Sequence, residues 1–264
     1  MDRDLYKKPF TKSDLPAWKC PTCENGNLRI KKRSFVKEET SSSAKSHGEM
    51  WFDYSFVAYV YSCLFECTNS TCEEVIASSG EGFVSPYMDE DHEGNPIEDY
   101  MDFFRPNYFY PHLKLFATPK DVPEDVVKEI ELSFELFFCN PPSSLNHIRI
   151  ALEYLLTHMR VNRYRMVRRR RKSIVLHERI NLIPEKFREI KDHCLAIKWS
   201  GNAGSHSGEG ITKDDVMDAY EIMNEILREI FKGKKKEIKK LVKQINKKKG
   251  PKGKKKIKKR KSVF

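Results

Sequence analysis

Cys20-Pro21-Thr22-Cys23-Glu24-Asn25-Gly26 is the stretch on which the reading of the fold turns. Two thiols separated by two residues can reach one tetrahedral ion, and Gly26 just beyond relaxes the backbone. A second pair, Cys67 and Cys72, follows after segments that read as the strands of a ribbon. Its four-residue spacing is looser than the commoner two but lies within the range that metal ligands use. Cys20, Cys23, Cys67 and Cys72 are therefore expected to hold a structural Zn2+. Four sulfur ligands would close the coordination sphere and leave no position open for chemistry. The competing reading is a set of buried thiols, against which stands the small core of so short a β-domain. Cys63 is an alternative to Cys67, although its place within a strand suits a packed thiol, and His47 is an alternative from a polar loop. Cys139 and Cys194 sit on apolar faces and read as core residues.

Outward from the knuckle, residues 1–17 read as a flexible lead-in and residues 18–76 as the zinc-ribbon domain. Within it, Leu28–Val36 is a candidate strand, residues 37–50 a polar loop, and Trp51–Phe65 a strand or hairpin rich in aromatic and β-branched residues. Residues 77–122, acidic and then aromatic, and broken by Pro106 and Pro111, are expected to form a packed connector. Helical period begins at Pro123, and residues 123–231 read as a bundle of four or five helices. Asn140-Pro141-Pro142-Ser143-Ser144 caps a helix running from Leu145 to about Val161, with Ile148, Ala151, Leu152, Leu155 and Leu156 on one stripe. A further helix is expected over Glu185–Lys198, and a last one from Thr212 through Phe231. Residues 232–264 form a basic tail, helical to about Lys247 and then disordered.

The net charge of +11 is unevenly placed. Residues 232–264 carry 18 Lys/Arg against one acid, Glu237, while residues 1–231 carry 31 cations against 37 acids. Inside that acidic body lies one cationic run, residues 160–172, holding Arg160, Arg163, Arg165, Arg168, Arg169, Arg170, Arg171 and Lys172 and no acid. Arginine forks grip phosphates and stack on bases, so this run is a candidate nucleic-acid contact, set against the plainer reading of a solvated loop. Lysines of the tail, such as Lys234, Lys235, Lys236, Lys254, Lys255 and Lys256, suit sequence-independent phosphate contact. A membrane is the poorer partner, because the tail offers Phe264 as its one aromatic anchor and no terminal lipidation cysteine. No apolar run approaches the roughly 20 residues of a bilayer span, and the polar N-terminus lacks the apolar stretch of a signal peptide, so a cytoplasmic location is expected.

Three segments, Ile148–Glu153 (IRIALE), Leu176–Ile180 (LHERI) and Ile197–His206 (IKWSGNAGSH), carry a resemblance. They resemble a prokaryotic helical domain of unknown function, found alone, behind a zinc ribbon, or attached to type I restriction subunits. That domain is similar to a branch of the HEPN superfamily (higher eukaryotes and prokaryotes nucleotide-binding). The resemblance implies a homodimer, a defence-system partner protein, and a setting in bacterial phage defence or restriction. Active HEPN ribonucleases carry an Arg-Asn-x-x-x-His motif in which the arginine stabilises phosphate and the histidine assists proton transfer. Here Asn202 and His206 hold their places, but Gly201 stands where the arginine belongs. Glycine offers no donor fork, and the nearest upstream cation, Lys198, is not interchangeable with a bidentate arginine.

The expectation is thus an α+β multidomain chain: a small β zinc ribbon, an all-α HEPN-like bundle and a disordered basic tail. Its expected function is non-catalytic, largely sequence-independent binding of DNA or RNA. One alternative is a metal-independent ribonuclease using His206 and Asn202 with a cation from Lys198 or Arg149; another is a protein-interaction scaffold. Gly201–His206 is otherwise read as a helix C-cap and polar turn, and Arg149 with Glu153 as a one-turn ion pair.

Overall fold

The computed structural model describes residues 2–90, 96–206, 210–231 and 241–247, with the side chains at 90, 96 and 203–206 left outside. After a short helix α1 (Asp4–Lys7) come β1 (Leu28–Ile30), β2 (Val36–Glu39), helix α2 (Ser41–Ser46) and three long strands. These are β3 (Ala58–Cys67), β4 (Val75–Glu90) and β5 (Pro96–Tyr110). They form one five-stranded antiparallel sheet ordered β1-β3-β4-β5, with β2 also on β3. Period-two alternation in β3 turns Tyr61, Cys63, Phe65 and Cys67 inward. The buried Cys63 thiol, pushed up to about 12 by burial, is thereby a core group.

This sheet corrects the expected architecture. The N-terminal part is a curled sheet reaching Tyr110, and no small zinc ribbon forms. The segment read as an irregular connector, 77–122, supplies most of β4 and all of β5. Gly80 and Pro106, which look like strand breakers, face each other across a register shift. A Cβ at Gly80 would lie 2.1 Å from the Arg105 carbonyl oxygen, so glycine permits the close approach that a bulge requires. Residues 1–17 are likewise not a free lead-in. Phe10 forms a β-bridge with Phe104 and is 2% exposed, wedged edge-on against Trp18 at 5.5 Å and Tyr61 at 5.6 Å.

The helices follow residue 123: α3 (Glu124–Leu136), α4 (Pro141–His158), then α5 (Leu176–Asn181), α6 (Lys191–His206) and α7 (Lys213–Ile230). Asn140 caps α4 through its side chain, and Thr212 with Asp215 forms a capping box on α7. The stripe read from sequence on α4 is buried. Buried hydroxyls of Ser133, Ser144 and Tyr220, each 2.9 Å from the others, tie α3, α4 and α7 together. This part is not all-α, however. Between α4 and α5 the cationic run folds as a hairpin, β6 (Tyr164–Val167) and β7 (Arg170–Ser173). Residues 185–190 form a 3-10 segment with a kink at Phe187, so the regular helix starts at Lys191 and continues through Gly201 to His206. One hydrophobic core runs from Phe10 through Phe109 and Phe138 to Leu227. The basic tail lies outside the described residues except for 241–247, which are helical as expected.

Candidate metal centre and cationic hairpin

The four predicted cysteines converge. Cys20 and Cys23 lie in a turn closed by the Lys19–Asn27 bridge, Cys67 ends β3, and Cys72 lies in the turn beyond it. Their sulfurs lie within 4.8 Å of one another, with Cys20–Cys72 at 3.8 Å and Cys23–Cys67 at 3.6 Å. A tetrahedron of thiolates at about 2.3 Å from an ion has edges of about 3.8 Å. The four cysteines could therefore hold a metal ion. Both halves use the same backbone device: Glu24 (φ 57) and Glu73 (φ 50), each just after the second cysteine of its pair, take left-handed conformations. Both donate their amides backwards, Glu24 to Cys20 O and Glu73 to Asn69 O.

Amides also converge on the sulfurs: Gly26 N donates to Cys23 Sγ and Asn69 N to Cys67 Sγ, both at 3.4 Å. The Gly26 and Asn25 amides hold the Cys23 thiol down to about 6, while burial pushes Cys67 up to about 12. Cys63 points into the sheet core and takes no part in the cluster, and His47 is bonded to Glu39 at 2.8 Å instead. Gly26 is needed for more than relaxation. A Cβ there would lie 2.4 Å from Cys67 Sγ.

Arg165, Arg168, Arg169, Arg170, Arg171 and Lys172 lie on the β6–β7 hairpin, with Arg160 and Arg163 leading into it. Val167 pairs with Arg170, so Arg168 and Arg169 alone make the turn, at φ 50 and 61. Two central residues with positive φ define a type I′ turn, which favours Asn-Gly. Two arginines there cost about 1–2 kcal/mol each in backbone strain. Tyr164, Met166 and Arg171 share one face, with the Arg171 guanidinium 3.7 Å from the centre of the Tyr164 ring. Arg165, Val167, Arg170 and Lys172 share the other. Among the described residues Glu178, 3.2 Å from Arg165, is the one carboxylate paired with a hairpin cation. Lys234, Lys235, Lys236, Lys254, Lys255 and Lys256 lie outside the described residues.

The Gly201 region is helix interior, which corrects the C-cap reading. A Cβ at Gly201 would meet the Arg149 side chain at 2.8–3.1 Å, so the glycine lets the arginine of α4 cross α6. Arg149 in turn bonds Glu153 at 2.5 Å and Asn146 at 3.2 Å. Asn202 is half-buried, and the His206 side chain lies outside the described residues. Lys198 turns onto the exposed Trp199, its Nζ 3.2 Å from the ring centre.

Sequence reading did not single out Arg179, which is 2% exposed. Its guanidinium donates to Thr157 Oγ1, in the last turn of α4, at 2.9 Å and to Val161 O, three residues beyond that helix. Its place in the LHERI segment, one residue before the buried Ile180, was the available signal.

Residues 8–109 match a family model described as a domain of unknown function (DUF8608), and residues 133–259 match a second, a domain of unknown function (DUF4145). The first match covers the sheet from the Phe10 bridge nearly to the end of β5, and the second most of the helical part. No curated protein and no solved structure matches the chain. Among the described residues, no helix is long and apolar enough to cross a membrane.

Proposed function

We propose that the chain is a non-catalytic nucleic-acid-binding protein that grips phosphates with the β6–β7 hairpin, assisted by the lysine-rich tail. The observation that carries this reading is the arginine turn. A chain that accepts left-handed strain at both Arg168 and Arg169, where Asn-Gly would be relaxed, keeps two guanidiniums at the tip of a cationic ribbon. Such a ribbon is narrow enough to enter a groove or track a strand. The four cysteines suit Zn2+, since soft thiolates in a closed tetrahedron select it, and its role here is to pin the β1–β3 corner of the sheet. Resemblance of the helical part to HEPN domains supports a homodimer in a phage-defence or restriction setting.

The test is binding of fluorescein-labelled DNA and RNA by the full chain. Changing Arg168, Arg169, Arg170 and Arg171 together to Gln is expected to weaken binding at least about tenfold with the circular dichroism spectrum unchanged. Equal binding by the variant would contradict the proposal. The ribonuclease alternative draws support from Arg149, whose side chain lies across Gly201, the place where HEPN enzymes carry arginine. Metal-independent RNA cleavage that disappears in both His206→Ala and Arg149→Ala would favour it over the binding reading.

A further inference from the structure

We propose that the groove between the β6–β7 hairpin and α5 receives an unstacked base, which makes single-stranded nucleic acid the preferred ligand. This rests on the hairpin being the nucleic-acid contact proposed above. The groove is open to solvent and has a volume of about 630 Å³, room for a compact organic group laid against its walls. Its apolar walls are Tyr164, Met166, Ile174 and Leu182. Met166 is 68% exposed and Leu182 53%, so two large apolar side chains face water beside a run of arginines. Apolar surface grouped in a concave site marks a place where something binds. The neighbouring cations say what it carries: phosphates.

The polar groups of the groove fit a base rather than an acyl chain. Asn162 and Asn181 lie at its rim, and neither side-chain amide makes a hydrogen bond among the described residues. An amide offers donor and acceptor together, the pattern that pairs with base edges. Glu178, which also lines the groove, is held by Arg165 and so adds little net charge to repel a polyanion. Tyr164 is oriented by the Arg171 guanidinium on its ring, an arrangement that suits stacking without further ordering. A base inside a duplex has both faces stacked and its edge paired, so only an unpaired base can enter.

The test compares three labelled oligonucleotides of equal length at one salt concentration: a mixed-sequence single strand, its duplex, and a strand of abasic units with the same phosphates. The full chain is expected to bind the base-bearing single strand about five- to a hundredfold more tightly than the abasic strand. Met166→Ala and Leu182→Ala, both at exposed positions, should erase most of that ratio while leaving abasic binding unchanged. Arg168→Ala should weaken all three ligands alike. Equal binding of base-bearing and abasic strands, still dependent on Arg168, overturns the base site and leaves the cationic-hairpin reading standing. Tighter binding of the duplex overturns it likewise. No binding to any of the three removes both, and an aromatic-bearing acidic peptide that binds the groove in their place would assign it to a protein partner.

Discussion

A methyl group at Gly26 would sit 2.4 Å from Cys67 Sγ and 2.9 Å from the Asn69 amide nitrogen, so neither the sulfur nor its hydrogen bond could stay in place. Gly26→Ala is expected to lower metal affinity and the melting temperature together, read by metal content after gel filtration and by thermal unfolding. Retention of one ion per chain with unchanged melting would contradict that geometry. The two candidate cysteines of β3 separate in the same assay. Cys67→Ser should lose the ion, whereas Cys63→Ala should keep it and lose only packing energy, about 1–2 kcal/mol. The period of β3 already placed Cys63 inward, but the sequence alone could not say whether inward meant core or metal, because Cys67 has the same parity. Gly201 is a second close approach. Alanine gains about 1 kcal/mol of helix propensity there but must displace the Arg149 stem, which costs about 1–3 kcal/mol. A lower melting temperature for Gly201→Ala is therefore expected, and a higher one would show that Arg149 moves freely.

Elements with explicit start signals were legible. Asn140 before two prolines and Thr212 before Asp214-Asp215 carry the caps that open α4 and α7, and their apolar stripes are buried as the period requires. Of the long strands, β3 was legible within Trp51–Phe65 but β4 and β5 were not, because Gly80, Gly82 and Pro106 interrupt the alternation that marks a strand, and only the cross-strand bulge gives them a place. Nor was the hairpin. Its strands are four residues each and half of those residues are cations, so pairing is visible in the register and not in the composition. Continuation of α6 through Gly201 was hidden for a different reason: the side chain that covers the glycine comes from α4. The hairpin turn gives a prediction with two opposite signs. Replacing Arg168-Arg169 by Asn-Gly should stabilise the fold by about 1–2 kcal/mol in urea unfolding and weaken nucleic-acid binding. Stabilisation without loss of binding would mean that the strained turn serves something else.

Across the whole molecule, a single core replaces the expected separate ribbon and bundle. Phe109 of β5 contacts Phe138 just beyond α3 at 5.0 Å, and the N-terminal segment binds both halves. Phe10 is buried in the sheet, while Arg3 reaches Asp218 and Glu221 of α7 and Lys7 reaches Asp214. These contributions are unequal. The exposed ion pairs stabilise by at most about 1 kcal/mol each, whereas Phe10→Ala should cost about 3–5 kcal/mol. Thermal unfolding is thus expected to show a large loss for Phe10→Ala and almost none for Arg3→Ala. The spacing of the two cysteine pairs pointed to an independent ribbon; the aromatic residues that fill the sheet lie in segments whose pairing no local pattern announces. The charge asymmetry, by contrast, could be read directly, and it is what draws a polyanion to the chain in the proposed function. Its most direct test is the salt dependence of nucleic-acid binding by the full chain, by the chain with Arg168–Arg171 changed to Gln, and by the chain lacking residues 232–264. Each phosphate contact contributes a slope of about −0.7 to −0.9 in the logarithm of affinity against the logarithm of salt. A steep slope is expected for the full chain, becoming shallower in both variants; a slope unchanged by losing the hairpin arginines would rule the hairpin out as the phosphate contact.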